Sequence, residues 1–355
     1  MGDEKKRPLM PGETCSPPVL DQRRIVLGHG SGGKMTQDLV EKLFLPNFSN
    51  DYLAPLDDQA VVEVNGSRLA FTTDSFVVTP IFFPGGDIGR LAINGTVNDI
   101  VMSGATPRFI AAAFILEEGL VTDDLVLVVK SMRKAAQEAG VLLVTGDTKV
   151  VNRGKGDQVF ITTTGLGVLE RQIRISADQA RPGDRILLSG TIGDHGMAIM
   201  SRREGLEFEG PIESDTAALH TLVASMLDTS ERIHCLRDPT RGGVATALNE
   251  IASRSQVGME LDGRSIPMRE SVKGACEILG LDPLYVANEG KLVAIVAPEV
   301  ADAMLDRMRS HPLGGDACVI GHVVAAHPRR VLLKTEIGGS RVLDVMLGEA
   351  LPRIC

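Results

Sequence analysis

Apolar positions fall into two periods along the chain. Short apolar or alternating runs at Val61-Val62, Arg68 to Thr73, Arg108 to Leu116, Val141 to Val144 and Val159 to Val168 predict strands. Helical spacing fills the gaps between them. Thr36 is placed to cap a helix carrying Leu39, Val40, Leu43 and Phe44, predicted to stop before Pro46. Ile88 to about Ser103 spaces Leu91, Ile93, Val97, Ile100 and Val101 as a packed helix. Thr122 to Ala139 puts Leu125, Val128, Val129, Met132 and Ala136 on one face. Val141 to Val144 reads as a fully buried strand that delivers Thr145-Gly146-Asp147-Thr148-Lys149 at its carboxyl end.

Pro182-Gly183-Asp184 is a turn, and the alternation resumes after it. Strands are predicted at Arg185 to Ser189 and Leu292 to Val296, with helices to about Arg203, from Thr216 to about Leu227, and through Leu248 to Ile251. Two short strand-like pieces, Val331 to Lys334 and Val342 to Met346, precede the chain end. The pattern predicts an α/β (α+β) protein with two domains, at 24–170 and 171–328, and a tail at 329–355. Residues 1–23, rich in charge, Pro and Gly, are expected to be a disordered extension.

Composition narrows the partners. There is no Trp and aromatics are 3%, so the core must be Val, Ile, Leu, Ala and Met. A net charge of −9 argues against nucleic acid or anionic membrane as a partner of the overall field. No apolar run approaches the roughly 20 residues of a membrane span, and Met1 to Pro18 lacks the apolar stretch of a secretory signal. Five cysteines (Cys15, Cys235, Cys276, Cys318, Cys355) are scattered without a C-x-x-C pair, which fits a reducing cytoplasm with Cys355 as a free thiol.

Candidate chemistry clusters in glycine loops and at strand ends. Gly28-His29-Gly30-Ser31-Gly32-Gly33-Lys34 can turn N–H groups toward an anion, or serve only as a hinge; Met35 after Lys34 breaks the Walker pattern. Asp57-Asp58 enters one strand, Thr72-Thr73-Asp74-Ser75 ends another, and Gly146-Asp147-Thr148-Lys149 ends a third. Each acid alone is an ordinary turn residue; together they make an oxygen-rich set suited to Mg²⁺. Asn98-Asp99 interrupts an apolar helix, and because buried polar groups need partners the pair is a better ligand candidate than an exposed one. Arg237-Asp238-Pro239-Thr240-Arg241-Gly242-Gly243 reads equally as an anion site or as a capped, ion-paired helix start. Glu289 beside Lys291 reads as an acid/base pair or as a solvated pair; His195, among glycines, is a weaker base candidate. Pro352-Arg353-Ile354-Cys355 places a thiol at the tip of a short arm, either frayed or a carrier.

These motifs, with Pro84-Gly85-Gly86-Asp87-Ile88-Gly89 and Asn288-Glu289-Gly290-Lys291, resemble in order those of the HypE family of [NiFe]-hydrogenase maturation enzymes, within the PurM-like (aminoimidazole ribonucleotide synthetase) superfamily. The resemblance spans Ile25 to Cys355, and the terminal Pro-Arg-Ile-Cys is its most specific part. It implies an N-terminal domain that dimerises through its sheet into a homodimer and binds ATP at or near that interface, facing a C-terminal α/β domain. The implied activity is carbamoyl dehydration. A carbamoyltransferase partner, HypF, loads the terminal thiol; ATP dehydrates S-carbamoyl to S-cyanate; and cyanide passes to iron held by HypC and HypD.

Carried onto this sequence, Cys355 bears the modified sulfur, Glu289 is the proton acceptor, and Lys149 polarises the carbamoyl group or stabilises the developing phosphate. Lys34, Asp58, Thr73, Asp74, Asn98, Asp99, Gly146, Asp147 and Thr148 are the expected nucleotide-site residues, with Asp58, Asp74, Asp99 and Asp147 on Mg²⁺. Another ATP-using synthetase of the superfamily, such as selenophosphate synthetase, is the alternative. Cys15 in a Pro-flanked stretch is a poor match to the reactive residue expected there. A non-catalytic adaptor would leave the acidic strand ends without a job.

Overall fold

The structure is a computed structural model that describes residues 24–206, 208, 210–335, 337–346 and 353–355. The expectation for 1–23, and Pro352 of the terminal motif, lie outside the described residues.

The first helical segment runs α1 (Lys34–Leu39), a π turn (Val40–Phe44) and α2 (Leu45–Phe48). It passes Pro46, where the sequence predicts a stop. The π turn shifts the hydrogen-bond ladder just before the residue that has no N–H to give.

A five-stranded sheet follows, in the order β1-β2-β7-β5-β6. Its members are β1 (Ala60–Val64), β2 (Ser67–Phe76), β5 (Thr106–Glu117), β6 (Leu142–Val151) and β7 (Val159–Val168); a short hairpin, β3 (Phe82–Phe83) and β4 (Gly86–Asp87), lies apart from it. Helices α3 (Ile88–Met102) and α4 (Thr122–Ala139) pack on this first unit. β7 alternates buried and half-buried positions along its length, as a strand with one covered face should.

The second sheet has the order β14-β13-β10-β12-β8-β11-β9. It comprises β8 (Arg185–Leu188), β9 (Ile233–Arg237), β10 (Gly258–Asp262), β11 (Val293–Val296), β12 (Cys318–Val324), β13 (Val331–Lys334) and β14 (Ser340–Leu343). With it run α5 (Asp194–Glu204), α6 (His220–Thr229), α7 (Gly243–Ser255), α8 (Glu270–Leu279) and α9 (Ala301–Arg309). The sequence places 329–355 in a tail. Yet β13 pairs in parallel with β10 and β14 pairs with β13, so both pieces are built into the second sheet.

α3 is the joint between the halves. Asp87 caps it, accepting from the N–H groups of Gly89 (2.8 Å) and Arg90 (3.1 Å). It is buried almost all round, so its polar residues must find partners. Thr96 and Asp99 find them in the first half, at Thr163 and Thr72, whereas Asn94 Nδ2 donates to Thr216 Oγ1 at 3.3 Å and Asn98 is bonded to backbone of the second half at three points.

The strand predicted to be fully buried is the opposite. β6 is exposed over nearly all its length and runs straight through Gly146-Asp147-Thr148-Lys149 to Val151. Its apolar run mimics a buried strand because it is an edge strand of apolar composition.

Candidate active site

The site is built where β1, β2, α3, the loop after β9, the turn before β11 and the chain end converge. A cavity of about 210 Å³ is lined there by Asp58, Thr73, Asp74, Asp99, Asp238, Thr240, Arg241, Glu289 and Cys355, among others. A wider groove of about 870 Å³ opens beside it, touching Gly32, Thr36, Asp58, Thr73, Arg237 and Arg241.

The acidic group is the first feature. Oxygens of Asp58, Asp99 and Asp238 come within 4.8 Å of one another. Asp58 sits just ahead of β1 and is held by Arg237, whose Nε lies 3.1 Å from Oδ1. Its neighbour Asp57 faces away and accepts from Ser176 Oγ (2.7 Å) and Ala177 N (2.9 Å), so the tandem acids divide between structure and site. Asp99 leaves α3 beside Thr72, whose hydroxyl lies 2.7 Å from Oδ2. Asp74 adjoins Asp99.

Burial pushes Asp58 and Asp99 well above the usual carboxylate range, against the pull of Arg237 on Asp58. Burial likewise raises Asp74, and pushes Asp238 up to about 6. Crowded, desolvated carboxylates cost free energy unless protons or a cation offset their charge. All-oxygen donors at this spacing fit a hard divalent ion such as Mg²⁺.

Glu289 is the second feature. It is 2% exposed, and its Oε1 has no hydrogen-bond partner among the described residues. Burial, then Asp238, Asp215 and Asp74, hold its pKa well above the ordinary value; Arg241 pulls the other way. The sequence pairs Glu289 with Lys291. In the structure Lys291 instead reaches Asp215 (Nζ–Oδ2 3.1 Å), and Asp215 Oδ1 also accepts from the Glu289 N–H at 3.0 Å. Gly290 is forced here: a Cβ would lie 1.8 Å from the Asp215 carbonyl oxygen. Asn288 Oδ1 accepts from Gly193 N (2.7 Å) while its Nδ2 donates to Pro239 O (3.0 Å), tying two loops together under the glutamate.

The chain end is the third. Arg353-Ile354-Cys355 lies along residues 77–79, with Val78 and Ile354 forming an antiparallel bridge. Val77 N donates to Cys355 O at 3.0 Å and Thr79 N to Arg353 O at 3.2 Å. His195 Nε2 lies 2.6 Å from Ile354 O, so that nitrogen carries the proton and Nδ1 accepts from the Ser214 hydroxyl at 2.7 Å. Burial keeps this imidazole neutral by lowering its pKa. His195 thus holds the tail rather than facing the acids. The Cys355 thiol keeps part of its surface open to the cavity, but its dense surroundings push it up to about 12, with Arg241 opposing.

Several predicted residues are elsewhere. Asn98 is spent on the domain joint: its Nδ2 donates to Ala217 O (3.0 Å) and Glu289 O (3.2 Å) and its Oδ1 accepts from Leu219 N (2.8 Å), so it positions Glu289 and lines neither opening. Lys34 pairs with Asp38 at 3.3 Å, while its N–H donates to Met346 O. Gly146, Asp147, Thr148 and Lys149 line neither opening. Register carries Asp74 to Thr163, Ala112 and then Gly146. At about 4.8 Å per strand, the third step leaves them about 14 Å from Asp74. Asp147 and Lys149 pair with each other at 2.6 Å, both more than 60% exposed. Asp147 therefore does not join the other three acids within one chain, and Asp238 takes its place. Its signal was present: Asp238 directly follows β9, a further acidic strand terminus.

Two α/β units meeting over such a site define a class. Residues 56–169 match the N-terminal domain of AIR synthase related proteins, and residues 181–334 match the C-terminal domain. The chain is 58% identical over 338 residues to the carbamoyl dehydratase HypE of Azotobacter vinelandii, covering 95% of this chain and 99% of that one. It belongs to the HypE family of carbamoyl dehydratases, hydrogenase maturation enzymes. Among solved structures, a HypE–HypF complex superposes with a TM-score of 0.83 at 50% identity, over 87% of this chain and 99% of that one. A HypE in complex with ATP superposes at 0.79 with 51% identity, over 92% and 98%.

Proposed function

We propose that this enzyme uses ATP to dehydrate a carbamoyl group carried on its own Cys355 to S-cyanate, supplying the cyanide ligand of a [NiFe]-hydrogenase iron. The observation that carries this reading is the Cys355 thiol seated in a cavity walled by four aspartates and Glu289. The carbamoyl oxygen attacks the γ-phosphorus of ATP and ADP leaves, giving an imidate phosphate on sulfur. The C–O bond then breaks, phosphate leaves with its electrons, and carbon and nitrogen close to a nitrile. Two N–H protons are lost along the way.

Glu289 is the acceptor. It lines the thiol's cavity, its Oε1 has no hydrogen-bond partner among the described residues, and its raised proton affinity suits it to take a proton from an amide nitrogen. Arg241 is placed to favour the ionised form before transfer and to meet charge developing on oxygen. Asp58, Asp99 and Asp238, with Asp74 beside them, would hold Mg²⁺, which neutralises phosphate charge when bound.

The chain works as a homodimer. Phe109, Leu142, Leu143, Val144 and Val150 are 43–67% exposed on two neighbouring strands, an apolar face that a second copy would cover. That copy would bring its Asp147 and Lys149 toward a nucleotide in the wider groove, which accounts for their distance from the acids in one chain. HypF is the carbamoyl donor, in line with the complex formed by the relative, and the HypC–HypD scaffold is the acceptor. The setting is the cytoplasm, in keeping with free thiols at Cys235, Cys276, Cys318 and Cys355. ATP turnover in chain carbamoylated on Cys355, against unmodified chain and Cys355→Ala, tests the reading. Only the carbamoylated chain should turn over one ATP per tail; equal turnover in all three would refute it.

A further inference from the structure

The last three residues are held the way a peptide ligand is held. Backbone bonds run on one side to the Val77 and Thr79 N–H groups. From the other side His195 meets Ile354 O, while the Arg203 guanidinium bonds Thr79 O and Arg353 O together, each at 2.8 Å. Ile354 pairs with Val78 as a single antiparallel bridge, while Arg353 stands in the left-handed region at φ 53°, so the segment is strand-like only from Ile354 onward. Ile354 is 3% exposed within the core cluster that includes Phe76, Val78, Phe83 and Met197. Arg353 turns outward to Asp157, its Nη1 lying 3.1 and 3.0 Å from the two carboxylate oxygens. Cys355 enters the cavity. In strand addition, main-chain bonds supply affinity and pockets for alternate side chains supply specificity.

We propose that residues 77–79, His195, Arg203 and Asp157 form a peptide-binding groove that recognises Arg-Ile-Cys as a ligand and therefore accepts it in trans, as a separate peptide. The binding claim stands on the groove alone; only processing of a bound S-carbamoyl peptide would rest on the reading given above. A tail docked by about thirtyfold, at the millimolar effective concentration of a short tether, corresponds to a dissociation constant of tens of micromolar for the free tripeptide.

The test uses full-length chain with Ile354→Asp, which expels its own tail from an apolar pocket. Release is checked by alkylation of Cys355. Calorimetry under reducing conditions then compares N-acetyl-Arg-Ile-Cys with N-acetyl-Arg-Ala-Cys and N-acetyl-Glu-Ile-Cys. The first should bind saturably. The Ala peptide should bind at least tenfold more weakly, since it forfeits the buried contacts of the isoleucine sec-butyl group. The Glu peptide should lose about threefold, the scale of a rim ion pair, and should become the better of the two charged peptides on Asp157→Arg, a reversal that a merely structural Asp157 would not produce. Native chain, with its groove filled, should bind the first peptide more weakly than Ile354→Asp. Absence of saturable binding at millimolar peptide, or equal binding of all three, would overturn the proposal. If the peptide binds but its S-carbamoyl form is not dehydrated with ATP, the groove stands and the proposed chemistry fails; if the intact chain dehydrates its own tail yet binds no peptide, the reverse holds.

Discussion

Seating the tail should silence its thiol, and the size of the effect follows from the contacts. Burying the Ile354 side chain contributes about 2–3 kcal/mol. Four hydrogen bonds, from Val77, Thr79, His195 and Arg203, contribute about 1 kcal/mol each. Ordering three residues costs about 1.5 kcal/mol each. The balance is about 2 kcal/mol in favour of docking, or roughly thirtyfold. While docked, the thiol is pushed up from 9 to about 12. At pH 8 that leaves roughly a thousandfold less thiolate than in a free tail. Alkylation therefore proceeds through the undocked fraction and should be slowed about thirtyfold, with a ceiling of roughly a thousandfold.

The docked thiol holds its proton more tightly than the free one. Docking is accordingly intact below pH 9 and weakens as pH rises from 9 toward 12. The assay is timed iodoacetamide labelling at pH 8, read on the C-terminal peptide by mass spectrometry, with Ile354→Asp as the released reference. Equal rates in the two chains would refute the docking account.

Arg237→Met should destabilise the protein by about 3–5 kcal/mol, because Asp58 and Glu250 lose the buried guanidinium between them; urea unfolding reads this, and an unchanged midpoint would contradict it. Glu289→Gln should abolish dehydration yet raise stability at pH 8. The wild-type carboxyl has a raised folded pKa, so its contribution is full below about pH 4.5 and is lost as pH climbs; the gap between variant and wild type should close toward pH 4.5 in thermal melts. Val144→Asp on the exposed edge strand should shift light-scattering mass to that of a monomer while the isolated fold survives, since Val144 is 58% exposed in the chain; an unchanged mass would place the dimer face elsewhere.

Much of this architecture was legible in the sequence, for identifiable reasons. The predictions for α4 and β7 coincide with the structure residue for residue, because each has one covered face and hence a clean period. β6 misled because an apolar edge strand and a buried central strand have the same composition; only pairing order tells them apart. The site followed the same logic. Asp58, Asp74, Asp99 and Glu289 could be picked out because acids next to apolar runs are unusual. Asp147 shared that local signature but sits three strands away, a fact carried by sheet order and absent from any window of sequence. Asn98, expected at the nucleotide site, has its amide committed instead to the Glu289 and Ala217 carbonyls and the Leu219 N–H of the other half, partners that no local window of sequence reveals. His195 could not be assigned from its glycine loop, because its role depends on a chain end 159 residues away.

If the product is made on Cys355, the intact mass of the C-terminal peptide after incubation with the carbamoyltransferase, carbamoyl phosphate and ATP reports it most directly. The predicted result is a carbamoyl adduct that then loses one water, with neither change in Cys355→Ala. A tail mass that stays unmodified while the carbamoyltransferase is demonstrably active would contradict it.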